Sequence, residues 1–371
     1  MKVIASVLIA LAAIIMGASA SSAAACGPFG DPPAKVDHGS FASFLTRHSP
    51  ICRGGKVLGP WTDGGGDVRY ACLYEPADAG RKNPLPLMIF LHGSVATADS
   101  IMFTGLTDLV GKTDLGGKRL GFILLAPQGR YTSHFYPSTD ADAFGWDNWY
   151  RQLSPSGDVN VGGTVYPENV DAAAIDHFVS EVHATGKVDS RRIYLSGWSN
   201  GAAMAMLYAM NRPWVAAAAV YSAPNPFAAF SDECPQIPVT GAATGNGELR
   251  LFNPHVPLMH VRNTCDIGGI CPNAGMFAER IRMMGGSIDD IIVNSSGTRV
   301  PACDRTCGTD KMADGGDIGK LAALRGLLHH MRWPKAWNEN MLAFLKQHPL
   351  KAGPELSNTP PASAGVPSIP F

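Results

Sequence analysis

One serine stands between two glycines in Gly197-Trp198-Ser199-Asn200-Gly201. A serine hydroxyl attacks a carbonyl only when a base takes its proton and a carboxylate orients that base. Ile193-Tyr194-Leu195 before the pentapeptide reads as a short buried strand, and Ala202 to Met210 after it as a helix. Strand, Gly-x-Ser-x-Gly and helix in that order form the context of a nucleophile elbow, where an ordinary Gly/Ser turn is the plainer alternative. In an elbow Ser199 takes a strained backbone, and a Cβ at Gly197 or Gly201 meets a neighbouring strand or helix. Asn200 opens the helix, so its backbone N–H is expected to face the oxyanion.

The acid and the base should follow in chain order. Asp266 comes after the apolar run Pro257 to Val261 and a short turn, which places a carboxylate just past a strand end. Asp289, Asp290 and Asp310 compete with it. The base is His329 or His330. Counting forward from an expected last strand favours His329, and counting back from Trp333-Pro334 favours His330; the first register is preferred. The second oxyanion donor is expected from the loop after Leu91-His92-Gly93, at the N–H of Ser94. His92 sits beside that loop, whereas His134, His177, His183 and His260 fit structural roles. Trp146 and Trp149, in the aromatic stretch Phe144 to Tyr150, together with Trp198, either wall a substrate pocket or pack a long loop onto the domain.

These side chains need a scaffold that brings strand ends together. Asp67 to Tyr74 alternates and reads as an antiparallel strand. Leu85–Leu91, Leu120–Ala126, Ile193–Leu195, Val215–Tyr221 and Pro257–Val261 are apolar runs of buried-strand length. Residues 290–293 suit an extra strand, and Leu321 to Leu328 the last strand before the histidines. Helical patterns cover Asn169–His183, Ala202–Asn211, Met276–Met284 and Trp337–His348. Buried strands alternating with helices imply an α/β fold with a mostly parallel central sheet and helices on both faces. Ligands then bind beyond the carboxyl ends of the strands.

Apolar residues make up 46% of the chain and the net charge is −1, without a basic run, so a nucleic-acid partner is not expected. Met1-Lys2, an apolar stretch and Ala18-Ser19-Ala20 read as an export signal over residues 1–20, too short for a membrane span. Residues 21–64 read as an irregular N-terminal arm, 65–350 as the catalytic domain and 351–371 as a disordered Pro/Ser/Ala-rich tail. The expected location is secreted or periplasmic, with lipid anchoring at Cys26 as the lesser alternative. Eight cysteines in an exported chain suggest disulfides. Sequence proximity groups Cys26, Cys52 and Cys72 with Cys234, and Cys265, Cys271, Cys303 and Cys307 with one another. Cys303-x-x-x-Cys307 lacks a matching pair for zinc. Neither a metal nor a cofactor is expected.

Leu91-His92-Gly93, Arg192 to Ala202, Asp266 and the histidine pair with Trp333-Pro334 together resemble the α/β-hydrolase superfamily. Within it the likeness is to secreted esterases of the polyhydroxybutyrate-depolymerase and feruloyl-esterase type. The resemblance implies Ser199 as nucleophile, Asp266 as acid, the histidine at 329 or 330 as base, and carboxylic esters, small or polymeric, as substrates. Gly326-Leu327-Leu328-His329-His330 departs from the Gly-Gly-Gly-His that often precedes Trp-Pro in that branch. A serine peptidase of the prolyl-oligopeptidase kind and a non-catalytic binding protein on the same fold are the alternatives.

Overall fold

The computed structural model describes residues 49–63, 67–132, 143–146, 159–161, 164–166, 170–226, 248–250, 253, 255–267, 270–304, 317–351 and 368–370. The expected export signal, Cys26, Cys234, Cys307, His134, Trp149 and Asp310 lie outside these residues.

Eight strands form the central sheet: β1 (Lys56–Thr62), β2 (Val68–Tyr74), β3 (Leu85–Leu91), β4 (Ile123–Pro127), β5 (Val188–Trp198), β6 (Ala217–Tyr221), β7 (Leu258–Asn263) and β8 (Ile288–Val293). Their spatial order is β1-β2-β4-β3-β5-β6-β7-β8. β2 runs antiparallel to β1 and β4, and the pairings from β4 across to β8 are parallel. The helices are α1 (Val170–Ala184), α2 (Asn200–Met210), α3 (Ile270–Met283), α4 (Asp317–His330) and α5 (Asn338–Gln347).

Strand alternation divides the core into two layers, because successive side chains leave a strand on opposite faces. Leu87, Ile89 and Leu91 of β3 pack with Ile175, Phe178 and Val182 of α1 and with Phe277 and Ile281 of α3. Met88 and Phe90 of the same strand face Leu342 and Leu345 of α5. Helices therefore cover both faces, as the buried strands require. α2 is buried at every position, so its Ala-Met-Leu composition has no polar side to present to water.

Three readings from the sequence change. Residues 321–328 are not a strand but part of α4. The stretch is Ala- and Leu-rich without a β-branched residue, which favours helix. Its burial recurs at Gly326, Leu327 and His330, a helical spacing. β8 closes the sheet instead, so the extra strand expected at 290–293 is the last one. The arm expected at 21–64 contains β1, whose alternation is masked by a register shift between Leu58 and Trp61 around Gly59-Pro60. In the tail, Ser368–Pro370 pairs antiparallel with Glu248–Arg250.

A buried charge cluster ties the antiparallel end of the sheet to α1. Arg69 on β2 bonds Asp63 at 2.8 Å and Asp171 at 2.5 Å, and donates to Gln128 O at 3.2 Å. Two disulfides staple the periphery: Cys52–Cys72 joins the arm to β2, and Cys271–Cys303 joins α3 to the segment after β8. Cys265 is also disulfide-bonded, to a cysteine outside the described residues. A Cys271→Ser/Cys303→Ser variant should lose about 2–4 kcal/mol of stability. A chemical denaturation curve indistinguishable from wild type would contradict a stabilising role for this staple.

Candidate active site

Ser199 follows β5 in a left-handed backbone, φ 56° and ψ −123°, immediately before α2. Two glycines make this turn possible. A Cβ on Gly201 would stand 2.2 Å from His92 O and 2.3 Å from Leu91 O. One on Gly197 would stand 2.5 Å from Gly201 O. The N–H of Ser199 donates to Tyr221 O on β6 at 3.0 Å, which pins the elbow to the next strand.

His330, not His329, meets the serine. His330 Nε2 lies 2.8 Å from Ser199 Oγ, and its Nδ1 lies 2.7 Å from Asp266 Oδ1. The preferred register fails because residues 321–328 are helical. Successive residues on a helix are turned about 100° apart, so only one of two adjacent histidines can face the elbow. His329 Nδ1 instead approaches Asn263 Oδ1 at 3.3 Å. Gly326 allows the helix to sit against the acid loop, since a Cβ there would stand 2.9 Å from Asp266 O. Trp198 Nε1–H donates to His330 O at 2.9 Å and secures the end of α4.

Asp266 follows β7 as expected and is almost fully buried, at 3% exposure. Its Oδ1 also accepts the N–H of Ile267 at 2.8 Å. Asp289 and Asp290 stay on β8, and Asp290 is engaged by Arg262 at 2.6 and 2.8 Å.

Sequence reasoning missed Ser222. Its Oγ donates to Asp266 Oδ2 and lies 3.2 Å from His330 Nδ1. Ser222 is fully buried, holds φ 56°, and its N–H donates to Val261 O at 2.8 Å. A hydroxyl in the first position after β6 lies at the carboxyl edge of the sheet, which was the available signal.

Three segments meet beside Ser199. Gly93 brings its loop against the elbow, with its Cβ position 3.3 Å from Ser199 Cβ. Ser94 lines the cavity beside it, and the next N–H, of Val95, donates to Phe144 O at 2.8 Å. Asn200 uses its side chain on the same aromatic segment: Oδ1 accepts from Trp146 N–H at 2.7 Å and Nδ2 donates to Trp146 O at 3.0 Å. Its backbone N–H belongs to the first turn of α2, where amides lack intrahelical acceptors. Trp146 is therefore no pocket wall. It is fully buried, and its indole N–H donates to His92 O at 2.8 Å. Trp198 does line the cavity.

His92 and His260 are structural. Gly129 N–H donates to His92 Nε2 at 2.9 Å, so the proton resides on Nδ1 and is given to Gly93 O at 2.8 Å. His260 Nε2 accepts Ala223 N–H at 3.0 Å, just behind Ser222. Burial pushes each imidazole down to about 4. Among the described residues Cys52, Cys72 and Asp99 cluster within metal-ligand distance, but both sulfurs are in a disulfide and the carboxylate accepts Ile51 and Cys52 N–H.

A cavity of about 1180 Å³ opens beside the elbow. Ser94 and Trp198 line it next to Ser199, and His329 and Met331 line it on either side of His330. Its other walls come from the Ala98–Phe103 turn, residues 294–297 and residues 333–336, and they are largely apolar. Tyr221 also lines it.

The sheet order, the single antiparallel strand beside the parallel set, and a serine elbow after β5 define an α/β hydrolase. Residues 68–229 match the family model described as esterase PHB depolymerase, a span from β2 past the elbow to the turn after β6. The chain is a carboxylic ester hydrolase similar, over that span, to the PHB-depolymerase esterases. No curated protein matches it. Solved structures with a similar chain course include native Thermogutta terrifontis esterase 2, at 13% identity, covering 67% of this chain and 84% of that one with a TM-score of 0.43. The same esterase phosphorylated by paraoxon gives 13% identity, 74% and 92% coverage and 0.44. A thermostable esterase gives 16%, 81% and 64%, and 0.46. No described helix is long and apolar enough to cross a membrane.

Two histidines held neutral make stability depend on pH. In the unfolded chain each binds its proton near pH 6.5, and in the folded chain only near pH 4. Between these values the unfolded state binds more protons, so stability falls as pH falls. Urea denaturation should show a loss approaching 1.4 kcal/mol per pH unit for each ring below pH 6.5. His92→Gln should flatten that slope, and an unchanged slope would assign the protons elsewhere.

Proposed function

We propose that this chain is a secreted serine esterase working through an acyl-enzyme, with Ser199 as nucleophile, His330 as base and Asp266 as the orienting acid. The observation that carries the reading is the unbroken relay from Ser199 Oγ to His330 Nε2, 2.8 Å, and from His330 Nδ1 to Asp266 Oδ1, 2.7 Å. An ionised carboxylate only accepts, so Nδ1 keeps the proton and Nε2 is free to take one from the serine.

In the first half-reaction Ser199 Oγ bonds to the ester carbonyl carbon as its proton moves to His330 Nε2. The oxyanion is held by the N–H groups of Ser94 and Asn200, which supply most of the charge stabilisation. Collapse breaks the bond to the alcohol oxygen, which leaves with the proton from Nε2. Water then attacks the acyl-serine with His330 again as base, releasing the acid and restoring Ser199. No cofactor enters this sequence. Ser222 and Ile267 N–H fix the carboxylate, so the imidazole keeps one orientation through both halves.

Esters of hydroxyalkanoic acids, as short oligomers or polymer, are the favoured substrates, with feruloyl or acetyl esters next. The family match and the apolar cavity support this choice. Disulfides at Cys52–Cys72 and Cys271–Cys303 support export to an oxidising compartment.

Ser199→Ala and His330→Ala should each lower turnover by about a million-fold. His329→Ala should fall far less, and the reverse order would move the base back to position 329. A fluorophosphonate probe should label wild type and not Ser199→Ala. Failure to label wild type would favour a binding protein on this fold. A panel of short aryl esters, hydroxybutyrate oligomers, feruloyl esters and peptides should show ester cleavage only; peptide cleavage would favour the peptidase alternative.

Ser222→Ala should lower kcat by roughly 10- to 100-fold with little change in KM, because its hydroxyl acts on the acid–base pair and not on substrate. The pH dependence of kcat should shift with it. An unaltered kcat and pH profile would reduce Ser222 to a turn residue.

A further inference from the structure

The mouth of the cavity combines two surfaces that proteins usually keep apart. Ile51, Met102, Phe103, Leu328 and Met331 are among the exposed large apolar side chains of the molecule, and all five line this one cavity. Exposed apolar area gathered at a single opening marks a binding surface. Arg53, Arg332 and Lys335 line the same cavity and are themselves exposed.

These three cations are unbalanced. Some other exposed cations are paired, Lys346 with Asp114 and Lys56 with Glu75. Among the described residues Arg53, Arg332 and Lys335 make no ion pair and no side-chain hydrogen bond. The carboxylate in the cavity wall, Asp99, is buried and turned to the arm, accepting Ile51 N–H at 2.8 Å and Cys52 N–H at 2.7 Å. Among the described residues, no other carboxylate lines the cavity to offset the three charges. Of the three, Arg332 acts on the cavity's inner wall: burial lowers the His329 imidazole, and the charges of Arg325 and Arg332 lower it further.

We propose that the ester taken by this cavity has an apolar acyl chain ending in a carboxylate, with that carboxylate held at the mouth by Arg53, Arg332 and Lys335. The inference rests on the serine-esterase reading above and narrows its substrate class. The methylene part of such a chain loses water against the apolar walls while its carbonyl reaches Ser199. The carboxylate stays partly hydrated at the rim and keeps most of its solvation, so it adds attraction at small desolvation cost. A neutral chain of equal length gains the apolar contact alone.

A matched pair of substrates tests this: p-nitrophenyl hexanoate and the mono-p-nitrophenyl ester of hexanedioic acid. Both present the same leaving group and six-carbon acyl chain, and only one carries a distal carboxylate. At low ionic strength kcat/KM should favour the hexanedioic half-ester by roughly tenfold, mainly through KM. That preference should shrink toward unity at about 0.5 M salt, because exposed charges are screened. The variant Arg53→Gln/Arg332→Gln/Lys335→Gln should lose the preference. Lys82→Gln, an exposed cation before β3 at the other end of the sheet, should keep it. Hydrolysis of both esters without preference, or a preference that survives in the triple variant, overturns the proposal and leaves the serine-esterase reading standing. Hydrolysis of neither ester overturns both.

Discussion

Ser199 can hold φ 56° only because the first turn of α2 lies against the end of β3 with no side chain between them. A left-handed backbone at a residue other than glycine costs about 1–3 kcal/mol and persists only where its surroundings over-determine it. Here they do. The N–H of Ser199 is taken by β6, its carbonyl accepts from Ala202 and Ala203 in the following helix, and α2 is buried along its whole length. The same contact fixes the loop after β3. Gly201 packs on the carbonyls of Leu91 and His92, so the loop that follows them must turn directly beside the serine. Moving α2 outward by the width of a methyl group would separate Ser199 from the Gly93 loop.

Convergence on that point comes from chain positions far apart. Ser199 lies after β5, Ser222 after β6, Asp266 after β7 and His330 at the end of α4. Each parallel strand delivers its next residue to the same edge of the sheet, which is why consecutive strands can supply consecutive members of one site. His330 differs in coming from a helix terminus. Its placement depends on contacts to other elements: Trp198 Nε1–H on its carbonyl, and the close seating of Gly326 on the acid loop.

What could be read in the chain follows the same division. Ser199, Asn200 and the His92-Gly93 turn were legible because an elbow is a local object, with its constraints inside a few residues. Asp266 was legible because a continuous apolar run announces where its strand ends. The histidine that meets Ser199 was misplaced by one position because Leu321 to Leu328 is apolar in both strand and helix templates, and a one-residue step on a helix reverses which histidine faces inward. Trp146 could not be assigned from sequence, since its partner Asn200 lies 54 positions away and no periodicity encodes that pairing; Ser222 was missed although its place just past β6 marked the carboxyl edge of the sheet. β1 was hidden by a register shift that breaks alternation exactly where alternation would have revealed it.

The side chain of Asn200 grips both backbone groups of Trp146, while Val95 grips the carbonyl of Phe144. The aromatic segment is thereby a crossbar tied to the elbow at one end and to the Gly93 loop at the other. The segment cannot be exchanged as a cassette for one of different length without shifting the elbow and the Gly93 loop relative to each other. Among related chains, change in this loop should therefore be accompanied by change at position 200, even though the residue after the serine never needs to touch the substrate with its side chain.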